Sequence, residues 1–473
     1  MYRPAAVLGQ LPVPLSVLLV ALLAGRVAGV DVSGRSAVPL SAGVVATTDT
    51  VRGLPPGQPG RYVPGSSVLE LPSGRYLLPT GEAGWSEAAP AVAESRQWLS
   101  TGSIPGRTSL ERDLAERALL DLRALSAPAG GVVASWQPSW DYVWPRDSSW
   151  AAAAYCLTGH PDEGVAALRF LAGVQRRDGR WEARYRRDGS PVRDGRPLQL
   201  DANGWVPWAS WLCFRSAPAG QAGARQRAGI TALWPSIARA SDAGVQSLGW
   251  DGLPSPTPDY WETRTQHVTL GVVGPLRAGL RAAADLARLL GHDADAARYR
   301  AAAARVDRAT VDRWGATGYR RSAHLTAGYD AAVAFVAPPF APPDPVVYAA
   351  IRTAEPLLRV EVGGISPGQL WSLDRTEAWT PQTAFFALMH ASTGNVAAAR
   401  SDLGWLAGHR TRLGALPERV SASGEPTSVA PLSWTCAAVL LALVALDEPL
   451  PIPPPEPGTS IRTTTSGRSL PAV

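Results

Sequence analysis

The chain has 473 residues, 46% of them hydrophobic and only 18% charged, with a formal net charge of +5. All 45 basic residues are arginine, which excludes a Schiff-base lysine and a phosphate-loop lysine, because arginine replaces neither. Those arginines are interleaved with acids and form no runs, so a nucleic-acid partner is not expected.

In chain order, residues 1–29 read as a secretory signal. Met1-Tyr2-Arg3 carries one positive charge, Leu15 to Ala24 is apolar, and Val27-Ala28-Gly29 offers small residues for cleavage. The apolar run is too short for a comfortable membrane span, and an uncleaved anchor or a misassigned start is the other reading. The expected location is extracytoplasmic. Residues 30–104 read as an N-terminal extension. Tyr62-Val63-Pro64, Val68 to Leu71 and Arg75 to Leu78 form short strands around the Pro72-Ser73-Gly74 turn.

From about residue 105 to 447 the texture becomes helical. Apolar periodicity recurs over Leu110–Leu125, Ser148–Val174, Asn203–Phe214, Gly229–Ala240, Val268–Leu290, Ala294–Asp312, Ala327–Phe335, Val346–Glu355, Pro381–Ala391, Val396–Ala407 and Ser433–Leu446. A chain of helix and loop without βαβ units predicts an all-α toroid, an (α/α)6 barrel with a short N-terminal β element. No repeat of fixed period supports the rival, a helical solenoid. Residues 448–473 are rich in Pro, Ser and Thr and read as a disordered tail.

Cys156, Cys213 and Cys436 lie in apolar helical runs and make no Cys-x-x-Cys pair, so buried thiols are the default and one disulfide is open to an exported protein. The six histidines, His160, His267, His292, His324, His390 and His409, show no ligand spacing, so neither metal nor cofactor is expected.

Three segments carry chemistry. In Trp140-Asp141-Tyr142-Val143-Trp144-Pro145-Arg146-Asp147, Asp147 can charge-match the helix that follows. Two aromatics beside an Arg-Asp pair exceed what a cap needs. Tyr142 and Trp144 can stack on a sugar ring while Arg146 and Asp147 bond its hydroxyls. In Pro258-Asp259-Tyr260-Trp261-Glu262, the two acids three apart fit a capping box. The same spacing suits a general acid: Glu262, beside Trp261 and the like charge of Asp259, would hold its proton. In Leu416-Pro417-Glu418-Arg419, Glu418 fits a general base, against the plainer reading of a surface ion pair. Gln199-Leu200-Asp201-Ala202-Asn203-Gly204-Trp205 and Glu377-Ala378-Trp379 each put an acid and a tryptophan at a helix start. Asp259, Trp261, Trp205 and Trp379 thus join the candidate sugar-binding surface. Inverting glycoside hydrolysis needs two carboxylates roughly 6.5–9.5 Å apart, with room for a water.

These blocks resemble glycoside hydrolase family 15, the glucoamylase family. The resemblance covers roughly residues 105 to 447 and implies an (α/α)6 barrel acting as an inverting, exo-acting glucosidase on an oligosaccharide or α-glucoside. It puts the terminal-glucose pair at Arg146 and Asp147, the general acid at Glu262 and the general base at Glu418. The sequence departs from the family around Gly363 to Leu373, which shows no clear equivalent of the arginine before the family's Tyr-x-Glu-Asp segment. A non-catalytic carbohydrate-binding or cell-envelope protein on the same fold is the alternative.

Overall fold

The computed structural model describes residues 39–126, 130–371 and 374–455. The proposed signal and most of the proposed tail lie outside these residues. Six inner and six outer elements form the barrel. The inner ring runs α3 (Pro145–Leu157), α5 (Ala202–Arg215), α8 (Leu270–Leu289), a 3₁₀ helix (Ala331–Val336), α11 (Thr380–Ser392) and α13 (Ser433–Asp447), and α13 closes on α3. Outside them lie α4 (Pro161–Val174), α7 (Trp234–Ser247), α9 (Asp293–Trp314), α10 (Pro345–Leu358), α12 (Val396–Gly408) and α2 (Ser109–Leu125), with α6 (Gly220–Thr231) added between α5 and α7.

Composition sorts the two rings. Nearly every residue of α13, Ser-Trp-Thr-Cys-Ala-Ala-Val-Leu-Leu-Ala-Leu-Val-Ala-Leu-Asp, is buried, as expected of a helix apolar on all sides. Outer α9 instead buries one stripe, which includes Tyr299, Ala303, Val306 and Thr310. Where α5 meets α8, Gly204 faces Gly279, and a Cβ on either would fall inside the opposing backbone. Aromatic side chains fill the barrel axis. Trp150 has Trp205, Phe340 and Phe385 at ring distances of 5.2, 5.3 and 5.2 Å, and Trp434 at 6.1 Å.

Several expectations change. The continuous helix predicted from Ser148 to Val174 is two helices, because Gly159 (φ 81°) and Pro161 break it. The helix predicted at Gly229–Ala240 spans α6 and α7, and the one at Ala327–Phe335 is the 3₁₀ element. The extension holds an unpredicted helix, α1 (Trp85–Thr101), whose internal Pro90 obscures it in sequence. The extension also holds an antiparallel pair, β1 (Gly43–Ala46) with β2 (Val51–Leu54), and a four-stranded antiparallel sheet. That sheet runs β3 (Arg61–Tyr62), β4 (Leu69–Glu70), β5 (Tyr76–Leu78) and β6 (Gly81–Ala83). Cys156 and Cys213 form a disulfide joining α3 to α5, while Cys436 stays a buried thiol. No helix among the described residues is long and apolar enough to cross a membrane.

Candidate active site

A cleft of about 700 Å³ lies where inner helices begin. Its walls include Trp140, Trp144, Arg146, Asp147, Trp261, Glu262, Trp379, Glu418 and Trp434. Pro145 opens α3 at the position where a missing N–H costs nothing, which places Arg146 and Asp147 in the first turn. Both are almost fully buried. Arg146 Nε donates to Asp147 Oδ1 at 3.0 Å and its Nη1 to Gln199 Oε1 at 3.1 Å, while Asp201 Oδ2 lies 3.5 Å from Nη1. The guanidinium also lies over the Trp434 ring, 4.5 Å from its centroid. Burial pushes the Asp147 carboxyl up to about 6, against the pull of Arg146, and does the same to Asp201.

Glu262 does not stand on a helix. Residues 259–262 make a turn closed by Glu262 N to Asp259 O at 2.8 Å, and Glu262 takes a left-handed φ of 57°. Such a backbone costs about 1–3 kcal/mol for a non-glycine residue and persists only where its surroundings impose it. The surroundings here are a buried ion network. Arg321 bridges Asp259 (2.8 Å) and Asp330 (2.6 Å) and lies 3.6 Å over the Trp261 ring. Thr269 and the Trp261 amide also donate to Asp259, and Tyr260 donates to Asp330 at 2.6 Å. This corrects the expectation for Asp259: its fully buried carboxylate braces the turn and does not line the cleft. The Glu262 carboxylate accepts from Trp144 Nε1 at 2.6 Å, faces Arg146 at 3.6 Å and pairs with Arg196. Its ion-pair partners are arginines, where the sequence suggested a like charge.

Glu418 reaches the same cleft from the far end of the chain. Trp140 Nε1 donates to its Oε1 at 3.1 Å, and the Ser428 hydroxyl donates to Oε2. Ser428 also has a left-handed φ, 63°. The N-terminal extension holds this loop: Leu40 N donates to Ser428 O at 2.6 Å, Ser41 Oγ to Ala430 O at 2.8 Å, and Ala430 N to Ser41 Oγ at 2.9 Å.

Trp379 lines the cleft at the start of α11, in a T-shaped series with Trp371 (5.3 Å) and Trp261 (4.8 Å). Tyr142 stands behind the wall, edge-on to Trp144, with Arg184 over its ring. Trp205 is corrected outright: it is fully buried in the aromatic core beneath the cleft, because its place on α5 faces the barrel axis. Sequence reading missed Arg184, Arg196, Trp371, Arg321 and Ser428, and it noted Asp201 only as an acid at a helix start. Only Trp434, in the Leu432-Ser433-Trp434 stretch after Glu418, had a local signal.

The barrel, with its cleft at the starts of the inner helices, has known counterparts. A solved glycosidase superposes with a TM-score of 0.61 at 22% identity, over 72% of this chain and 99% of that one. A bacterial glucoamylase complexed with acarbose superposes with a TM-score of 0.60 at 15% identity, over 78% of this chain and 60% of that one. The fold is that of the glucoamylases. In sequence, the chain is 28% identical over 178 residues to an uncharacterized glycosyl hydrolase of Methanocaldococcus jannaschii. That match spans 37% of this chain and about a quarter (27%) of the relative. No family model matches the chain.

Proposed function

We propose that this glucoamylase-like chain is a glycoside hydrolase that removes glucose from the non-reducing end of short α-glucosides with inversion. One observation carries the reading: two carboxylates from distant loops, Glu262 and Glu418, enter one tryptophan-lined cleft beside a buried Arg146–Asp147 pair. In this scheme Arg146 and Asp147 hold the terminal sugar. Glu262 delivers a proton to the leaving oxygen, and Glu418 takes one from the attacking water. The indoles supply flat apolar faces for the C–H sides of pyranose rings.

Export is part of the proposal. The Cys156–Cys213 disulfide agrees with an oxidising compartment.

The test is proton NMR of the purified protein with maltotriose, isomaltose and trehalose in parallel, alongside Glu262→Gln and Glu418→Gln. Early β-glucose from one sugar, absent with both variants, supports the scheme and names the linkage. Early α-glucose without β-glucose overturns inversion. Tight binding without hydrolysis favours a carbohydrate-binding protein.

A further inference from the structure

Outside the cleft, α10, α11 and α12 bring Glu355, His390 and Asp402 together in the barrel wall. Each offers one ligand atom, and these atoms lie within 4.8 Å of one another. His390 Nε2 is 3.2 Å from Glu355 Oε2 and 4.0 Å from Asp402 Oδ2. Asp402 and His390 have side chains only 2% and 8% exposed, yet Asp402 Oδ2 and His390 Nε2 have no aligned hydrogen-bond partner. Buried polar atoms without partners are rare and costly, so these two need an explanation.

The other carboxylate oxygens are occupied. Arg359 Nη2 bonds Glu355 Oε1 at 2.6 Å and Asp402 Oδ1 at 3.0 Å. One guanidinium therefore serves two carboxylates, leaving one negative charge unmatched. The three atoms that converge opposite it are one imidazole nitrogen and two carboxylate oxygens. Ligands about an ion with bonds near 2.0–2.1 Å stand about 3.3–3.5 Å apart in a tetrahedron; the 3.2 Å between His390 and Glu355 matches that, and the 4.0 Å to Asp402 Oδ2 has to shorten on binding. Glu355, 20% exposed, leaves a route in from solvent.

We propose that Glu355, His390 and Asp402 form a site for a divalent transition ion of the zinc class, completed by water. The mixed nitrogen and oxygen donors favour zinc over calcium, which takes oxygen ligands. The site pins two outer helices to inner α11, so its occupancy stiffens the barrel wall without entering the cleft. The rival is a proton: an imidazolium at His390 would also balance the charge.

The experiment uses the full chain after chelator treatment. Isothermal titration with ZnCl₂ at pH 7.5 is expected to give one saturable site, and Tm is expected to rise with zinc concentration. His390→Gln and Asp402→Asn should each weaken binding by at least about tenfold. CaCl₂ should give no comparable heat. If either variant fails to fold, cobalt(II) on the unaltered chain substitutes: visible d–d absorption that ZnCl₂ displaces supports the site. Absence of saturable zinc binding overturns the proposal, as does binding unchanged in His390→Gln. So do His390 ring resonances that titrate with pH and ignore zinc. None of these readouts depends on hydrolysis, so the site and the glycosidase reading can fail separately.

Discussion

Trp144 Nε1 donates to Glu262 Oε1 across 2.6 Å, joining the residue before α3 to a carboxylate 118 positions further along. That bond aims the proposed general acid from one side while the Asp259 turn holds its backbone from the other. Trp144→Phe keeps the apolar wall and removes the donor. A hydrogen bond to a charged group is worth about 1.5–3 kcal/mol, so kcat should fall roughly ten- to hundredfold with KM little changed. Steady-state kinetics on the sugar identified by NMR checks this. A fall in KM affinity alone would show that Trp144 acts only as a platform.

Glu418 depends on a longer chain of support. Ser428 donates to it, and Ser41 holds the Ser428 loop through Ala430. Ser428→Ala should lower kcat about tenfold, because Glu418 loses a donor that aims its carboxylate. Ser41→Ala should lower kcat by less, since it acts on Glu418 only through the loop. An unchanged kcat in Ser428→Ala would sink the argument.

Arg321 is the keystone of the Glu262 turn. Arg321→Ala leaves Asp259 and Asp330 buried with no counter-charge between them. Removing one partner of a buried ion pair costs about 3–5 kcal/mol. Urea denaturation should show a loss of that order, and Arg321→Lys should recover only part of it, since lysine cannot bridge two carboxylates with a planar fork.

Stability should depend on pH in two opposing ways. Burial raises Asp147 and Asp201 from 3.8 to about 6. Between those values the folded chain keeps protons that the unfolded chain releases, so each group destabilises the fold as pH rises from about 4 to 6. Each effect is bounded by about 3 kcal/mol. His160, stacked 4.0 Å from Trp98, is lowered from 6.5 to about 4 by burial, then by Arg123. Its neutral form favours the fold above about 6.5, and that contribution is lost as pH falls towards 4. Asp201→Asn should therefore flatten the decline in Tm from pH 4 to 6, and His160→Gln should steepen it. Parallel Tm curves for all three proteins would refute both assignments.

Reduction of the Cys156–Cys213 disulfide frees a 57-residue separation between α3 and α5. Loss of such a link costs about 2–4 kcal/mol. Unfolding free energies from denaturant titration of the unaltered chain and of Cys156→Ala/Cys213→Ala, each with and without reductant, should show a reductant effect of that size only for the unaltered chain.

What the sequence revealed was mostly local. Arg146–Asp147, Glu262 and Glu418 stood out because tryptophan, proline and acid crowd into short loops of a charge-poor chain. Helical periodicity gave the barrel, yet it could not tell Trp205 in the core from Trp379 in the cleft, since both follow an acid at a helix start. Arg196, Arg321 and Ser428 each act through partners that lie nine to sixty-six positions away. One arginine among 45 carries no mark of its pairing. The helix expected at Ala327–Phe335 proved a six-residue 3₁₀ element, a form the sequence hid because Ala331–Val336 is apolar in any conformation.

The aromatic plug around Trp150 has a consequence for traffic. It fills the barrel axis, so under the proposed scheme a released sugar leaves by the opening through which its chain came in. Under that scheme the shortened chain withdraws before the next cut, and product and substrate compete for the same opening.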